Sequence, residues 1–200
     1  MIIVLLGPHG VGKTTLGRAL ERELGWPFHD EIGRRLAADP SLRPAGRSAE
    51  APQLEFDLRV FAEELARDVA FDHAERGPRI VESWHFANIA YAARRSPSVA
   101  AAMLAHTRVA VGRQPVYVVP LRATDALLDE RHTEPGSPTF FRRVARNAWR
   151  LAIALGGHPL PPVHTDEGTP EELATLMAPH LRTLARETKA EAATRPGLPV

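Results

Sequence analysis

The sequence predicts a three-layer α/β sandwich on a five-stranded parallel sheet, and three observations predict it. Apolar runs of strand length alternate with stretches of helical spacing along most of the chain. The first run, Ile2-Ile3-Val4-Leu5-Leu6, leads directly into the glycine-rich stretch Gly7-Pro8-His9-Gly10-Val11-Gly12-Lys13-Thr14. A helix-spaced segment, Thr15-Leu16-Gly17-Arg18-Ala19-Leu20, follows it. Strand, glycine-rich loop and helix in that order make a phosphate-binding loop, or P-loop. Glycines let successive N–H groups turn around an anion without Cβ clashes, and the helix N-terminus adds its positive dipole end.

Beyond that unit, Trp26-Pro27-Phe28-His29 reads as a short second strand ending at Asp30-Glu31, and Ile32 to Ala38 as a short helix. Asp39 to Gln53 contains Pro40, Pro44, Gly46 and Pro52 and reads as a loop. Leu54, Leu58, Phe61, Leu65 and Val69 mark the apolar stripe of a long helix running toward Arg76, where Gly77-Pro78 stops it. Arg79-Ile80-Val81 is a third strand reaching Glu82-Ser83. Ala-rich helices follow around Ala87–Ala93 and Ser98–Val109, and Val116 to Val119 is the fourth strand. Leu127-Leu128 belong to a short helix, and Thr133 to Pro138 is a Pro/Gly turn. Phe141, Val144, Ala148, Leu151 and Leu155 stripe another helix that stops at Gly156-Gly157. Pro162 to Thr165 is a weak fifth strand; Leu173, Leu176, Leu181 and Leu184 stripe the last helix. The expected organisation is a single domain over residues 1–187, with a short lid at 131–140 and a flexible tail from Thr188 to Val200.

The chain has 200 residues, 44% apolar and 24% charged, which suits one globular domain with a real core. A formal charge of +1 gives no electrostatic reason for a nucleic acid polymer or an anionic membrane as partner. There is no cysteine, hence no disulfide framework, thiolate metal site or cysteine nucleophile. A strand at residue 2 with no basic leader, and no apolar run of membrane-spanning length, predict a cytoplasmic location.

In a parallel sheet, ligands bind beyond the carboxyl ends of the strands. The expected nucleotide contacts are therefore Gly7, His9, Gly10, Val11, Gly12, Lys13, Thr14 and Thr15. Lys13 would reach the β- and γ-phosphates of ATP, and the Thr14 hydroxyl would sit on Mg²⁺. Lys13 is expected to face solvent in the empty loop. Asp30 and Glu31 leave the second strand at the cleft, where one could accept a proton from a hydroxyl; Asp30, the strand's last residue, is slightly favoured. A helix cap is the plainer reading of the pair. Glu82, ending the third strand, stands where such a fold keeps a carboxylate for a water-held Mg²⁺. Trp84 and His85 lie beside the cleft as candidate substrate contacts, with Phe56, Arg34 and Arg59; packing and solvated faces are the competing readings. Arg131, at the start of the lid, could neutralise charge on a transferring phosphoryl group, with Arg142 and Arg143 as stand-ins.

With these residues the chain resembles the P-loop kinases of nucleosides and nucleotides, the thymidylate kinase and deoxynucleoside kinase group. The likeness rests on GPHGVGKTT, on Asp30-Glu31, on RIVESWHFANIAYA (79–92) and on VYVVPLRATDALLDERHTEPGSPTFFRRV (116–144). Val163-His164-Thr165-Asp166 with its Pro-Glu-Glu helix start fits the family's last strand and helix. The resemblance implies a P-loop NTPase fold with a short lid, ATP and Mg²⁺ as cofactors, and a small-molecule phosphoryl acceptor. It leaves a homodimer open. Two departures concern the acceptor: Ser83 and Trp84 stand where those kinases usually place an Arg, and the lid carries no further Arg. GVGKTTLGRALERELGWPFHD is also similar to shikimate and gluconate kinases, where an Asp after the second strand binds the substrate hydroxyl.

The reading is an ATP- and Mg²⁺-dependent phosphotransferase acting on a small metabolite, a nucleoside or nucleoside monophosphate first. A shikimate- or gluconate-type kinase is the alternative, and a nucleotide-dependent ATPase or switch module the reading from another class. The Asn-Lys-x-Asp guanine motif is absent, since Lys189 is followed by Ala190-Glu191, and an AAA+ motor would usually need a longer chain.

Overall fold

Every residue of β1 (Ile2–Leu6) is buried, and alternation along the strand sends Ile2, Val4 and Leu6 to one face of a sheet and Ile3 and Leu5 to the other. A strand buried on both faces needs helices on both sides, and the rest of the chain supplies them. The computed structural model describes residues 1–39, 41–42, 50–73, 77–131 and 137–194. Its elements continue as α1 (Lys13–Leu24), β2 (Phe28–His29), α2 (Ile32–Ala37), α3 (Glu50–His73), β3 (Arg79–Glu82), α4 (Trp84–Ala92) and α5 (Pro97–Arg113). Then come β4 (Val116–Arg122), α6 (Asp125–Glu130), α7 (Pro138–Ala154), β5 (His158–Pro159), β6 (Val163–His164) and α8 (Pro170–Thr194).

All strand pairs are parallel, in the order β2-β3-β1-β4-β5, with β6 also on β4. The expected fifth strand is β6, beside Leu121-Arg122, and a further short strand that the sequence pattern does not predict, β5, runs beside Tyr117-Val118. Pro161 and Pro162 lie between them and have no N–H to continue the ladder, although the Leu160 N–H still donates to Val118 O at 2.9 Å. Helices α1 and α8 cover the face of Ile3 and Leu5 through Leu16, Leu20, Ala174 and Leu181. On the other face, α4 and α7 contribute Phe86, Ala90, Val144 and Ala148. This is the expected three-layer α/β sandwich.

Three elements depart from expectation. α3 starts at Glu50, inside the expected loop, and Pro52 is tolerated because a helix's first turn has unpaired N–H groups anyway. Its buried face follows the expected apolar stripe only in part: Phe61 is buried with Leu65 packed beside it, but Leu58 and Val69 are exposed, whereas Asp57, Val60 and Glu64 are buried. α8 continues to Thr194, past the start of the expected tail, and the Tyr117 hydroxyl lies 3.2 Å from that of Thr188. Of the lid, 132–136 fall outside the described residues, while Pro138 to Phe140 already belong to α7. Among the described residues no helix is long and apolar enough to cross a membrane.

Candidate active site

The carboxyl ends of β1, β3 and β4 meet at the loop between β1 and α1. Gly10 (φ 77°) and Gly12 (φ 91°) adopt the left-handed conformation that side chains disfavour. Gly7 sits so near β4 that a Cβ would come within 2.9 Å of Leu121 O. Register pairs Leu5 with Glu82, which brings the end of β3 beside the first turn of α1. The Thr14 hydroxyl there donates to Glu82 Oε2 at 2.8 Å.

Lys13 differs from expectation in being 5% exposed. Its ammonium folds back to donate to Gly7 O (3.1 Å) and Pro8 O (3.0 Å) and lies 3.9 Å from Glu82 Oε1. Unsatisfied ammonium donors at the start of a helix would be costly to bury, and the loop's own carbonyls accept from two of them.

The acidic pair divides. Asp30, favoured in the sequence, is half-exposed and pairs with Arg18 at 3.3 Å on the surface. Glu31 turns inward and meets Arg34 at 3.3 Å. Burial, reinforced by the Glu82 carboxylate, raises the Glu31 pKa against the opposing pull of Lys13 and Arg34. Arg34 itself, placed by α2, lies in the cluster: its guanidinium donates to Thr14 Oγ1 and to Glu82 Oε1, each at 2.6 Å.

Four expected substrate contacts lie elsewhere. Trp84 and His85 are fully buried, turned inward at the start of α4 by the positive φ of Ser83 (63°) and Trp84 (44°). Trp84 Nε1 donates to Asp68 Oδ1 at 3.1 Å, and His85 Nε2 lies 2.6 Å from Asp68 Oδ2. His85 Nδ1 is 3.0 Å from Glu64 Oε2, an ion-pair contact without hydrogen-bond alignment. The polar face of α3 thus claims both residues. Phe56 packs on Ile32, Leu36 and Val60, and Arg59 is exposed; neither lines either of the two spaces beside Lys13.

A cavity of about 470 Å³ lies over the P-loop. His9, Gly10, Gly12 and Lys13 to Thr15 line it, with Arg34, Glu82 and Arg131. Val11 is buried beneath the loop. Arg131 packs over the loop, so a Cβ on Gly10 would approach its backbone oxygen at 3.2 Å. Arg142 is held by Asp125 (3.1 Å) and Asp129 (3.2 Å) of α6, and Arg143 is exposed. Sequence reasoning missed the opposite wall: Thr165, Gly168, Pro170 and Leu173. Its signal is Thr169-Pro170-Glu171-Glu172, a capping box in which the Thr169 N–H donates to Glu172 Oε2 at 2.8 Å and the Glu172 N–H to Thr169 Oγ1 at 3.3 Å.

On the other side of Lys13 is a narrow cleft, lined by Pro8, Glu31 and Ser83 and by apolar Ala87, Phe141 and Ala148. His9 also lines it, 3.0 Å from the Tyr91 hydroxyl and with its ring tilted 44° to that of Phe141 at a centroid distance of 4.3 Å. No group of three or more His, Asp or Glu among the described residues could hold a metal ion alone. A hydroxyl and one carboxylate, Thr14 and Glu82, are nevertheless a donor set that suits Mg²⁺, which binds proteins through few ligands and completes its shell with water and phosphates.

Sheet order, loop geometry and cavity together define a P-loop nucleoside-triphosphate-binding fold. Within that class the chain belongs to the AAA domain family, whose model matches residues 2–119, from β1 into β4. No curated protein sequence matches it. Among solved structures it is similar to YorR from Bacillus subtilis, in complex with phosphorylated GDP, at 17% identity, covering 94% of this chain and 98% of that one with a TM-score of 0.53. Deoxyadenosine kinase from M. mycoides, with dCMP and dCDP bound, aligns at 13% identity over 92% and 100% with a TM-score of 0.62. Shikimate kinase from Acinetobacter baumannii, in complex with shikimate, aligns at 18% identity over 92% and 93% with a TM-score of 0.50. The fold is that of the P-loop kinases.

Proposed function

We propose that the protein transfers the γ-phosphoryl group of ATP to a hydroxyl of a small, uncharged acceptor, a nucleoside before a nucleoside monophosphate or shikimate. The observation that carries this reading is the cavity of about 470 Å³ over the P-loop, with Glu31 held on the other side of Lys13 in a cleft of about 10 Å³ that an acceptor would have to widen. Mg²⁺, when bound, supplies neutralisation of charge on the β- and γ-phosphates. Lys13 leaves the carbonyls of Gly7 and Pro8 to meet the phosphates, and the Thr14 hydroxyl and Glu82 carboxylate hold the metal. Glu31, with its raised pKa, accepts the proton of the attacking hydroxyl. Arg131, over the loop, meets negative charge on the transferring oxygens, so its removal lowers kcat and kcat/KM together.

A neutral acceptor is favoured by the cleft lining. Among the described residues its lining contains no arginine, and its one cation, Lys13, is committed to the transferring phosphates, so an acceptor carboxylate or phosphate would lack a cationic partner of its own there. ADP release with a panel of nucleosides, nucleoside monophosphates and shikimate tests the reading. The expected result is release that depends on Mg²⁺ and on a neutral hydroxylated acceptor. Membership of the AAA domain family favours a second reading, an ATPase or switch module. Hydrolysis at the same rate with every acceptor omitted would select it and reject the kinase.

A further inference from the structure

Glu82 has no exposed side-chain surface, and a buried carboxylate without close positive charge is costly. Lys13 stands 3.9 Å away and is engaged by the loop carbonyls. The close partner is Arg34: Nη2 reaches Glu82 Oε1 at 2.6 Å, Nη1 lies 3.5 Å from Oε2, and Nη1 donates to Thr14 Oγ1 at 2.6 Å. A guanidinium thus touches both groups that would hold a divalent cation. We propose that Arg34 is a built-in occupant of the cation position beside Thr14 and Glu82, which an incoming divalent cation must displace. The inference rests on reading the P-loop as a nucleotide–metal site.

Size and charge both require the exchange. A Mg²⁺ ion sits about 2.0–2.1 Å from its oxygen ligands, so it cannot share the Thr14 oxygen's open side with a nitrogen 2.6 Å away. The cluster is also balanced, Lys13 and Arg34 against Glu31 and Glu82, and adding two positive charges without phosphates would unbalance it. The cation should therefore enter with the nucleotide rather than before it. Arg34 can leave easily: its side chain is 48% exposed, so the guanidinium swings into water without desolvation. Its departure removes the only ion-pair partner described for Glu31, coupling cation entry to release of that carboxylate.

Mn²⁺ titration of the nucleotide-free protein, followed by the paramagnetic signal of free Mn²⁺, tests this without any turnover. Arg34→Ala is expected to bind Mn²⁺ at least about fivefold more tightly than wild type, a difference near 1 kcal/mol. Arg34→Lys should return toward wild type, and the Arg34→Ala/Glu82→Gln pair should lose the gain. Melting gives a second readout: with a chelator Arg34→Ala should melt below wild type, and Mg²⁺ should restore it while leaving wild type unmoved. Equal Mn²⁺ affinity in wild type and Arg34→Ala, or a gain that survives Glu82→Gln, overturns the proposal. Nucleotide binding to wild type is measured separately, so that failure of the nucleotide–metal reading is told apart from failure of the displacement.

Discussion

Lys13 is buried and bonded in the ligand-free loop, so its truncation should cost stability as well as activity. Lys13→Ala removes two charge-assisted hydrogen bonds and the more distant of the two cations that flank Glu82. The expected loss is about 1–3 kcal/mol of stability, read by urea denaturation, together with loss of phosphoryl transfer of at least about a hundredfold. A variant as stable as wild type would mean that the loop carbonyls need no internal donor. The neighbouring acids should separate cleanly. Glu31→Gln should lower kcat about a hundredfold, the usual scale for a general base, whereas Asp30→Asn, which loses only a surface pair with Arg18, should stay near wild type. The reverse ranking in steady-state kinetics would return the base to Asp30.

At the scale of elements, β2 is only two residues long and is held against α1 by the Phe28 N–H, which donates to Glu21 Oε1 at 3.0 Å, and by a close packing approach. The Phe28 ring lies over Gly17, where a Cβ would fall 2.2 Å from the ring edge. Glycine is needed here for space, since its backbone is ordinary helix. Gly17→Ala should push the ring away, shift the β2 end that carries Asp30 and Glu31, and cost about 1–3 kcal/mol, again by urea denaturation. A neutral or stabilised variant, as helix propensity alone would give, would show that β2 yields without cost. The P-loop was legible because its glycines, lysine and threonine are contiguous and depend on local backbone. The buried face of α3 was legible only at Phe61: Leu58 and Val69 have the right spacing for a core stripe but are exposed, because Glu64 turns inward to His85 of α4 and Asp57 to Arg95.

Across the whole molecule, the pairing of α3 with α4 should make stability depend on pH. Burial alone would lower the His85 pKa, but the Glu64 and Asp68 carboxylates outweigh it and raise it to about 9. A base whose pKa is raised on folding contributes stability that is complete below its unfolded value, about 6.5, and is lost as pH rises through about 9. Asp57, raised to about 6 by burial against the pull of Arg95, acts in a lower window and does not confuse the two. Melting temperature should therefore fall between pH 6.5 and 9.5 in wild type and fall less in His85→Gln. Equal slopes in the two proteins would mean that His85 is neutral in the folded state throughout.

The sequence by itself determined the layered fold, because alternating strand and helix periods leave a parallel sheet covered on both faces as the economical arrangement, and it determined the phosphate-binding loop, whose geometry is local. Only the tertiary structure decided which way side chains beside that loop turn. Asp30 and Glu31 are adjacent and chemically alike, and what separates them is Arg18 on one side and the Lys13–Glu82–Arg34 cluster on the other. Trp84 and His85 follow a strand end as a ligand-contacting pair would, yet Glu64 and Asp68, about a score of residues earlier on another helix, hold them inside. Long-range charge pairing in a low-dielectric interior sets these orientations, and no spacing along the chain encodes it.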